Sequence, residues 1–287
     1  MFGNISTLIF IIYIYYLQSI RCNIDSLRIF QGRDAVPGEF PYAVALAMEI
    51  SKETQSKLYQ SFCSGSIVTP VWTLTAGHCI EFIRSDPIVS NISGQIKMVI
   101  RYAINSEKKH HEWDASDIIN TTLFPGYRSI SLKNNHLTVI NDIGLLKTSK
   151  TIVSVLGIFS SVDYRTLYGH KVSTVGFGLT KSEGIVNDAL SLNKTLQIYE
   201  AIIVKCEDFR VDGTIKPLFC LSWECNKPAK SCGGDSGGPV IHKTGIIGVL
   251  TAGDGERCDT LEKVYTAGII TPISPYLNWI AKQIRDT

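Results

Sequence analysis

The sequence predicts an all-β protein, built as barrels or a sandwich and closed by a C-terminal α-helix. Three observations carry this: short period-two runs, Gly and Asp clusters between them, and one helical apolar pattern confined to the end of the chain. Val44, Leu46 and Met48 alternate with small residues, and Met98, Ile100, Tyr102 and Ile104 alternate within KMVIRYAI. That spacing puts one set of side chains on one face of a half-buried strand. TLQIYEAIIV and GIIGVLTAG read as further strands. At the end, Ser274 has the position of an N-cap and Pro275 that of a first helical residue, with Tyr276, Ile280 and Ile284 along one face.

Composition sets the outer limits. With 287 residues, 45% hydrophobic and 19% charged, the chain can bury a core in one large domain or two small lobes. A formal net charge of +2, with no basic stripe, argues against a nucleic-acid partner. Near the start, Leu8 to Leu17 (LIFIIYIYYL) is an apolar run of signal-peptide length, short for spanning a bilayer. No Lys or Arg precedes it. The run predicts export, with residues 1–19 as a signal peptide whose end falls between 19 and 22, because Ser19 and Cys22 are both small enough to precede the cut. Eight cysteines and the triplets beginning at Asn91, Asn120 and Asn193 agree with an oxidising secretory route and an extracellular product.

Three distant segments carry chemistry: Thr75-Ala-Gly-His78-Cys79, Asn141-Asp142-Ile-Gly-Leu-Leu146, and Cys232-Gly-Gly-Asp-Ser236-Gly-Gly-Pro239. A serine hydroxyl is a poor nucleophile until a base removes its proton. Histidine does this best when a buried carboxylate fixes its tautomer and stabilises the imidazolium. His78, Asp142 and Ser236 supply those three groups. The glycines around Ser236 let the backbone turn so that the N–H groups of Gly234 and Ser236 face one point, where they can hold an oxyanion. Such donors are worth roughly a hundred- to a thousandfold in rate each. The chain order His, Asp, Ser is not that of an α/β-type esterase, which runs Ser, acid, His.

On these segments, the GDSGGP run above all, the chain resembles the chymotrypsin and trypsin family of serine peptidases, from Ile29 to the C-terminus. The resemblance implies two six-stranded antiparallel β-barrels followed by the C-terminal α-helix, with the triad between the barrels. It also implies activation. Arg28-Ile29-Phe-Gln-Gly32 and Gly38-Glu-Phe-Pro-Tyr42 look like the family's cleavage site and first strand, making 20–28 a short activation peptide and 29–287 the peptidase domain. Cutting after Arg28 exposes an ammonium on Ile29, which in the family pairs with the acid before the nucleophile, here Asp235. Stranding one partner of such a buried pair costs roughly 3–5 kcal/mol, so the uncut chain is expected to be nearly inactive.

The resemblance further pairs Cys63 with Cys79, Cys206 with Cys220 and Cys232 with Cys258, bridges of about 2–4 kcal/mol each. Cys22 and Cys225 are left over: either they pair, or Cys22 leaves with the signal and Cys225 stays a thiol.

Lys230 falls at the base of the family's specificity pocket, where trypsin-like members have an aspartate. Lys263, in Lys263-Val-Tyr265, takes the place of a wall glycine. A lysine excludes a basic substrate side chain and points to cleavage after Glu or Asp. The bland reading is that either lysine snorkels to solvent or pairs with Glu262, Asp254 or Asp259. Thr251-Ala252-Gly253 stands where the family has Ser-Trp-Gly, which keeps the hydroxyl, removes the aromatic wall and leaves Gly253 able to pair with an extended substrate. The stretch from Ile80 to Asn141 is longer than in compact members.

His110, His111, Glu112 and Asp114 cluster without a trusted zinc spacing and read as a solvated loop, so no metal is expected, and the reaction needs no cofactor. The implied partners are a protein or peptide substrate, an activating protease and a protein inhibitor, with no membrane once the signal is removed. The alternative is a non-catalytic homologue acting as a secreted binding module, which a substituted triad usually marks.

Overall fold

A computed structural model describes residues 32–51, 57–85, 96–102, 113–131, 137–152, 154–178, 195–206, 217–224, 229–252 and 267–286. A short β1 (Arg33–Asp34) precedes a first barrel formed by β2 (Ala43–Ser51), β3 (Lys57–Thr69), β4 (Trp72–Thr75), β5 (Ile96–Tyr102), β6 (Asp114–Leu123) and β9 (Gly144–Thr148). These six close antiparallel in the order β2-β3-β4-β9-β6-β5. Closure comes through β2, which pairs with β3 on one edge (Met48 opposite Gln60) and β5 on the other (Met48 opposite Met98). Between β6 and β9 a separate hairpin, β7 (Arg128–Ser131) and β8 (Leu137–Ile140), extends the connection.

The second barrel holds β10 (Lys171–Gly176), β11 (Gln197–Val204), β12 (Phe219–Trp223), β13 (Pro239–His242), β14 (Gly245–Ala252) and β15 (Gly268–Pro272). Its order is β11-β10-β13-β14-β15-β12, closed where Ala201 faces Trp223 and Val204 faces Cys220, with β1 added to β11. The two six-stranded barrels and the C-terminal helix are therefore the architecture of this chain.

Two corrections follow from the packing. The strands around Val44 and Met98 are buried on both faces, not one. Val44, Leu46 and Ile100 enter the first barrel's core. On the opposite face of β2, Ala43 and Ala45 pack with Val175, Phe177 and Ile198 of the second barrel, and their small size lets the barrels approach closely. On β5 the opposite face carries Arg101, fully buried, whose guanidinium lies 3.9 Å from the centre of the Tyr59 ring. Cation–π contact makes that burial tolerable. Ile104 lies outside the described residues.

The second correction concerns the end of the chain. Among the described residues one α-helix, α1 (Gly77–Ser85), follows β4, and the other, α2 (Leu277–Arg285), follows a 3-10 turn over Ser274–Tyr276. Pro275 sits in that turn, and Ser274 does not cap α2; its hydroxyl accepts from the Tyr164 N–H at 3.3 Å. Tyr276 and Ile280 are buried against the first barrel's core, together with the half-buried Trp279 and Ile284. The last helix of the chain thus clasps the barrel that its own half of the sequence does not build.

Candidate active site

His78 is the second residue of α1, which begins one residue after β4, and Asp142 lies two residues before the start of β9, the strand paired with β4. Strand pairing therefore brings the two together across their long sequence separation. Asp142 Oδ1 accepts the His78 backbone N–H at 2.7 Å, and Oδ2 lies 2.8 Å from Nδ1. A carboxylate oxygen only accepts, so the ring proton sits on Nδ1 and Nε2 keeps its lone pair. Asp142 is fully buried, whereas the His78 side chain keeps a quarter of its surface (25%) and is reachable from solvent.

The turn carrying Asp142 is held by residues that sequence reasoning passes over. Asn141 adopts φ 52°, a left-handed conformation that Asn tolerates better than most residues. Its side chain bridges two elements, donating to the Gly126 carbonyl at 2.7 Å and accepting from the Tyr276 hydroxyl at 2.8 Å. Above His78, Glu81 accepts from the Tyr127 hydroxyl at 2.6 Å. Burial alone disfavours a charged His78 ring, but the Asp142 charge and hydrogen bond, aided by Glu81, outweigh it and hold the imidazole above its ordinary value.

Ser236 lies on the turn leading into β13, half-buried. The local sequence makes this turn because Gly234 and Gly237 take positive φ of 95° and 84°, which side chains rarely adopt. Gly237 is also pressed against the Ser64 carbonyl and Thr75 Oγ1, leaving no room for a Cβ. Successive amides are spent unequally. Asp235 N–H goes to the Cys232 carbonyl at 3.1 Å, Gly237 N–H to Leu250 at 2.7 Å and Gly238 N–H to Asp235 at 2.9 Å, while among the described residues no acceptor takes the N–H of Gly234 or Ser236. The buried Asp235 carboxylate accepts from Gly178 N–H at 2.7 Å and Cys232 N–H at 2.8 Å.

The barrels meet at these groups. Cys79 Sγ lies 3.6 Å from His78 Nε2 and 3.7 Å from the Ser236 carbonyl oxygen, so the ring and the serine flank one sulfur atom. Among the described residues Ser236 Oγ makes no hydrogen bond, so Nε2 and Oγ are not joined here. Cys79 is bridged to Cys63, and Cys206 to Cys220. The proposed partner of Cys232, Cys258, lies outside the described residues, as do Cys22 and Cys225.

Lys230 is buried, 2% exposed, directly before Ser231. Ser231 Oγ donates to the Ala267 carbonyl at 3.2 Å, and so does the hydroxyl of buried Tyr199, also at 3.2 Å. Gly268 packs against the same two side chains: a Cβ there would stand 3.1 Å from Tyr199 Oη and 3.3 Å from Ser231 Oγ. Sequence reasoning misses Tyr199 and Gly268, whose signal is strand register: Gly268 faces Leu221 of β12. The hydroxyl of Thr251 pairs with that of Thr271 at 2.7 Å, in a buried position. Arg28, Ile29, Gly253 and Lys263 lie outside the described residues. So do His110, His111 and Glu112, whereas Asp114 opens β6. Asn120 is exposed on β6; Asn91 and Asn193 are not described. Among the described residues, the one group of three potential metal-ligand atoms is Cys63, His78 and Cys79, and its two sulfurs are already bonded to each other.

Two closed barrels, with a carboxylate-bound histidine on one and a glycine-flanked serine on the other, define the class: a two-barrel serine peptidase architecture. The Trypsin family model matches residues 29–280, and the chain belongs to that family. It is similar to granzyme M of Rattus norvegicus, 29% identical over 264 residues that cover 90% of this chain and 89% of that protein. It is similar also to coagulation factor IX of Oryctolagus cuniculus, 26% identical over 259 residues, 89% of this chain and 84% of the other. Among solved structures it shares its fold with neuropsin, a serine protease expressed in the limbic system of mouse brain, at a TM-score of 0.62 and 21% identity, covering 88% of this chain and 99% of that one.

Proposed function

We propose that the chain is a secreted serine endopeptidase, made inactive and switched on by cleavage after Arg28. The observation that carries the reading is the two-point grip of Asp142 on His78, at 2.7 and 2.8 Å, which leaves Nε2 as the available base. His78 takes the Ser236 hydroxyl proton as Oγ attacks the peptide carbonyl. The oxyanion is held by the unspent N–H groups of Gly234 and Ser236, and the leaving amine departs with the proton from His78. Water, activated by the same ring, then releases the acyl group. Ile29, once freed, pairs with Asp235, and the ion pair orders the specificity pocket and the oxyanion loop. The apolar run before residue 19 and the Cys63–Cys79 and Cys206–Cys220 bridges support an exported, oxidised product.

The preferred substrate in this reading has Glu or Asp before the cut, its carboxylate meeting the ammonium of the buried Lys230. Substrate profiling of the chain cut after Arg28, with Ser236→Ala as control, tests both levels. Cleavage after Glu and Asp that vanishes in the variant supports the reading. A profile led by Phe, Leu, Lys or Arg removes the acidic preference, and a wild type as silent as the variant leaves a binding module.

A further inference from the structure

Ser64, in β3, is buried with 1% exposure and bonds to the nucleophile turn, to β4 and to the segment after β10. Its backbone N–H donates to the Ser236 carbonyl at 2.7 Å, and its carbonyl accepts from the Thr75 hydroxyl at 2.8 Å, three residues before His78. Its own hydroxyl donates to the Gly234 carbonyl at 2.8 Å and accepts from the Phe177 N–H at 3.0 Å, just beyond β10 in the second barrel. The main-chain contacts require no particular side chain. The hydroxyl contacts do, and one of them falls on the carbonyl of the glycine whose N–H is left unspent.

We propose that Ser64 is a positioning residue, whose hydroxyl anchors the Gly234–Asp235 peptide on one side of the Gly234 Cα, so that the adjoining Gly233–Gly234 peptide keeps its N–H aimed at the reacting carbonyl oxygen. The proposal rests on the peptidase reading above. Gly234, at φ 95° and without a side chain, has wide torsional freedom, and the Asp235 N–H bond to the Cys232 carbonyl holds the Gly234–Asp235 peptide at its nitrogen end. The Ser64 hydroxyl holds the carbonyl end of that same peptide and ties it to Phe177, so the peptide next to the oxyanion donor is registered against both barrels. Removing the hydroxyl leaves the Gly234 carbonyl and Phe177 N–H without their partner, and the peptide turns to recover one.

Such a role acts on the transition state and not on ground-state binding. Ser64→Ala should lower kcat between about ten- and a hundredfold with KM within about twofold of wild type, the size expected of a misaimed but present donor. The inhibition constant of a peptide aldehyde, which forms a tetrahedral oxyanion on Ser236, should rise in step with the loss of kcat. That of the matching product peptide should not move. Ser64→Thr, which keeps the hydroxyl, should recover most of kcat. An unchanged kcat in Ser64→Ala overturns the proposal. So does a loss shared equally by the aldehyde and the product peptide, or a folded Ser64→Thr, checked by thermal melting, that is as slow as Ser64→Ala. If a fluorophosphonate fails to label the activated wild type, the peptidase reading and this proposal fall together. Labelling with an indifferent Ser64→Ala sinks this proposal alone.

Discussion

Asp142 grips His78 at two points, backbone and ring, through its two carboxylate oxygens at 2.7 and 2.8 Å. One contact holds the histidine in place and the other selects its tautomer. Asp142→Asn separates them, because an amide keeps an acceptor for the backbone N–H but can present N–H to Nδ1, driving the proton onto Nε2. The variant should fold with little loss of stability and lose about ten-thousandfold in kcat, the size known for this exchange in chymotrypsin-type triads. Steady-state kinetics beside a thermal melt checks both halves.

In the proposed mechanism protonation of His78 removes the base, and Asp142 and Glu81 hold the ring above the ordinary 6.5 in spite of burial. The acidic limb of kcat/KM should therefore have its midpoint above 6.5, and Glu81→Gln should move it down. Stability runs the other way. A raised folded value means that the charged ring stabilises the fold fully below the ordinary value, and this contribution fades as pH rises through the raised one. His242, lowered by burial, the nearby His170 and Lys243, contributes in the opposite sense: its share is present above 6.5 and is lost as pH falls through the lowered value. Melting curves of Glu81→Gln and His242→Gln across pH 5–8 should diverge from wild type with opposite slopes.

Lys230 is buried at the floor proposed for the specificity pocket. Lys230→Ser removes the ammonium while keeping a polar side chain. It should cut kcat/KM for a Glu substrate at least about tenfold, the scale of one charge-assisted hydrogen bond, and leave a Leu substrate unchanged or improved. Equal losses on both substrates would show that Lys230 supports the fold and not the choice.

Two glycines with nearly the same φ separate torsional strain from collision. Gly169, at 83°, has nothing within 4 Å of where a Cβ would sit, whereas Gly237, at 84°, is pressed on Ser64 and Thr75. Gly169→Ala should cost about 1 kcal/mol, from strain alone. Gly237→Ala should cost clearly more, and should lower kcat because it displaces Ser236. Urea denaturation of the two variants measures the difference.

Much of this arrangement is legible in the sequence, for reasons that differ by element. Alternation within AVALAM and KMVIRY reveals strands because a barrel core imposes period two on residues such as Val44, Leu46 and Ile100. The GDSGGP run is legible because its glycines satisfy local backbone demands. The second buried face of β2 and β5 is not, since it depends on which barrel surface Ala45 and Arg101 meet. Ser64, Asn141 and Tyr276 escape for the same reason: each acts through partners more than ten positions away, Gly234, Gly126 and Asn141 respectively. Ser274 looks like a cap by spacing alone, but a 3-10 turn intervenes and Tyr164 claims its hydroxyl.

In the proposed mechanism the His78 ring and the Ser236 hydroxyl work as one nucleophile. Mass-spectrometric mapping of fluorophosphonate labelling on the chain cleaved after Arg28 is the decisive test. One adduct per chain is expected, on Ser236, formed slowly or not at all in His78→Ala and in the uncleaved chain. A folded, cleaved wild type that takes no label, or one that is labelled equally fast without the imidazole, contradicts it.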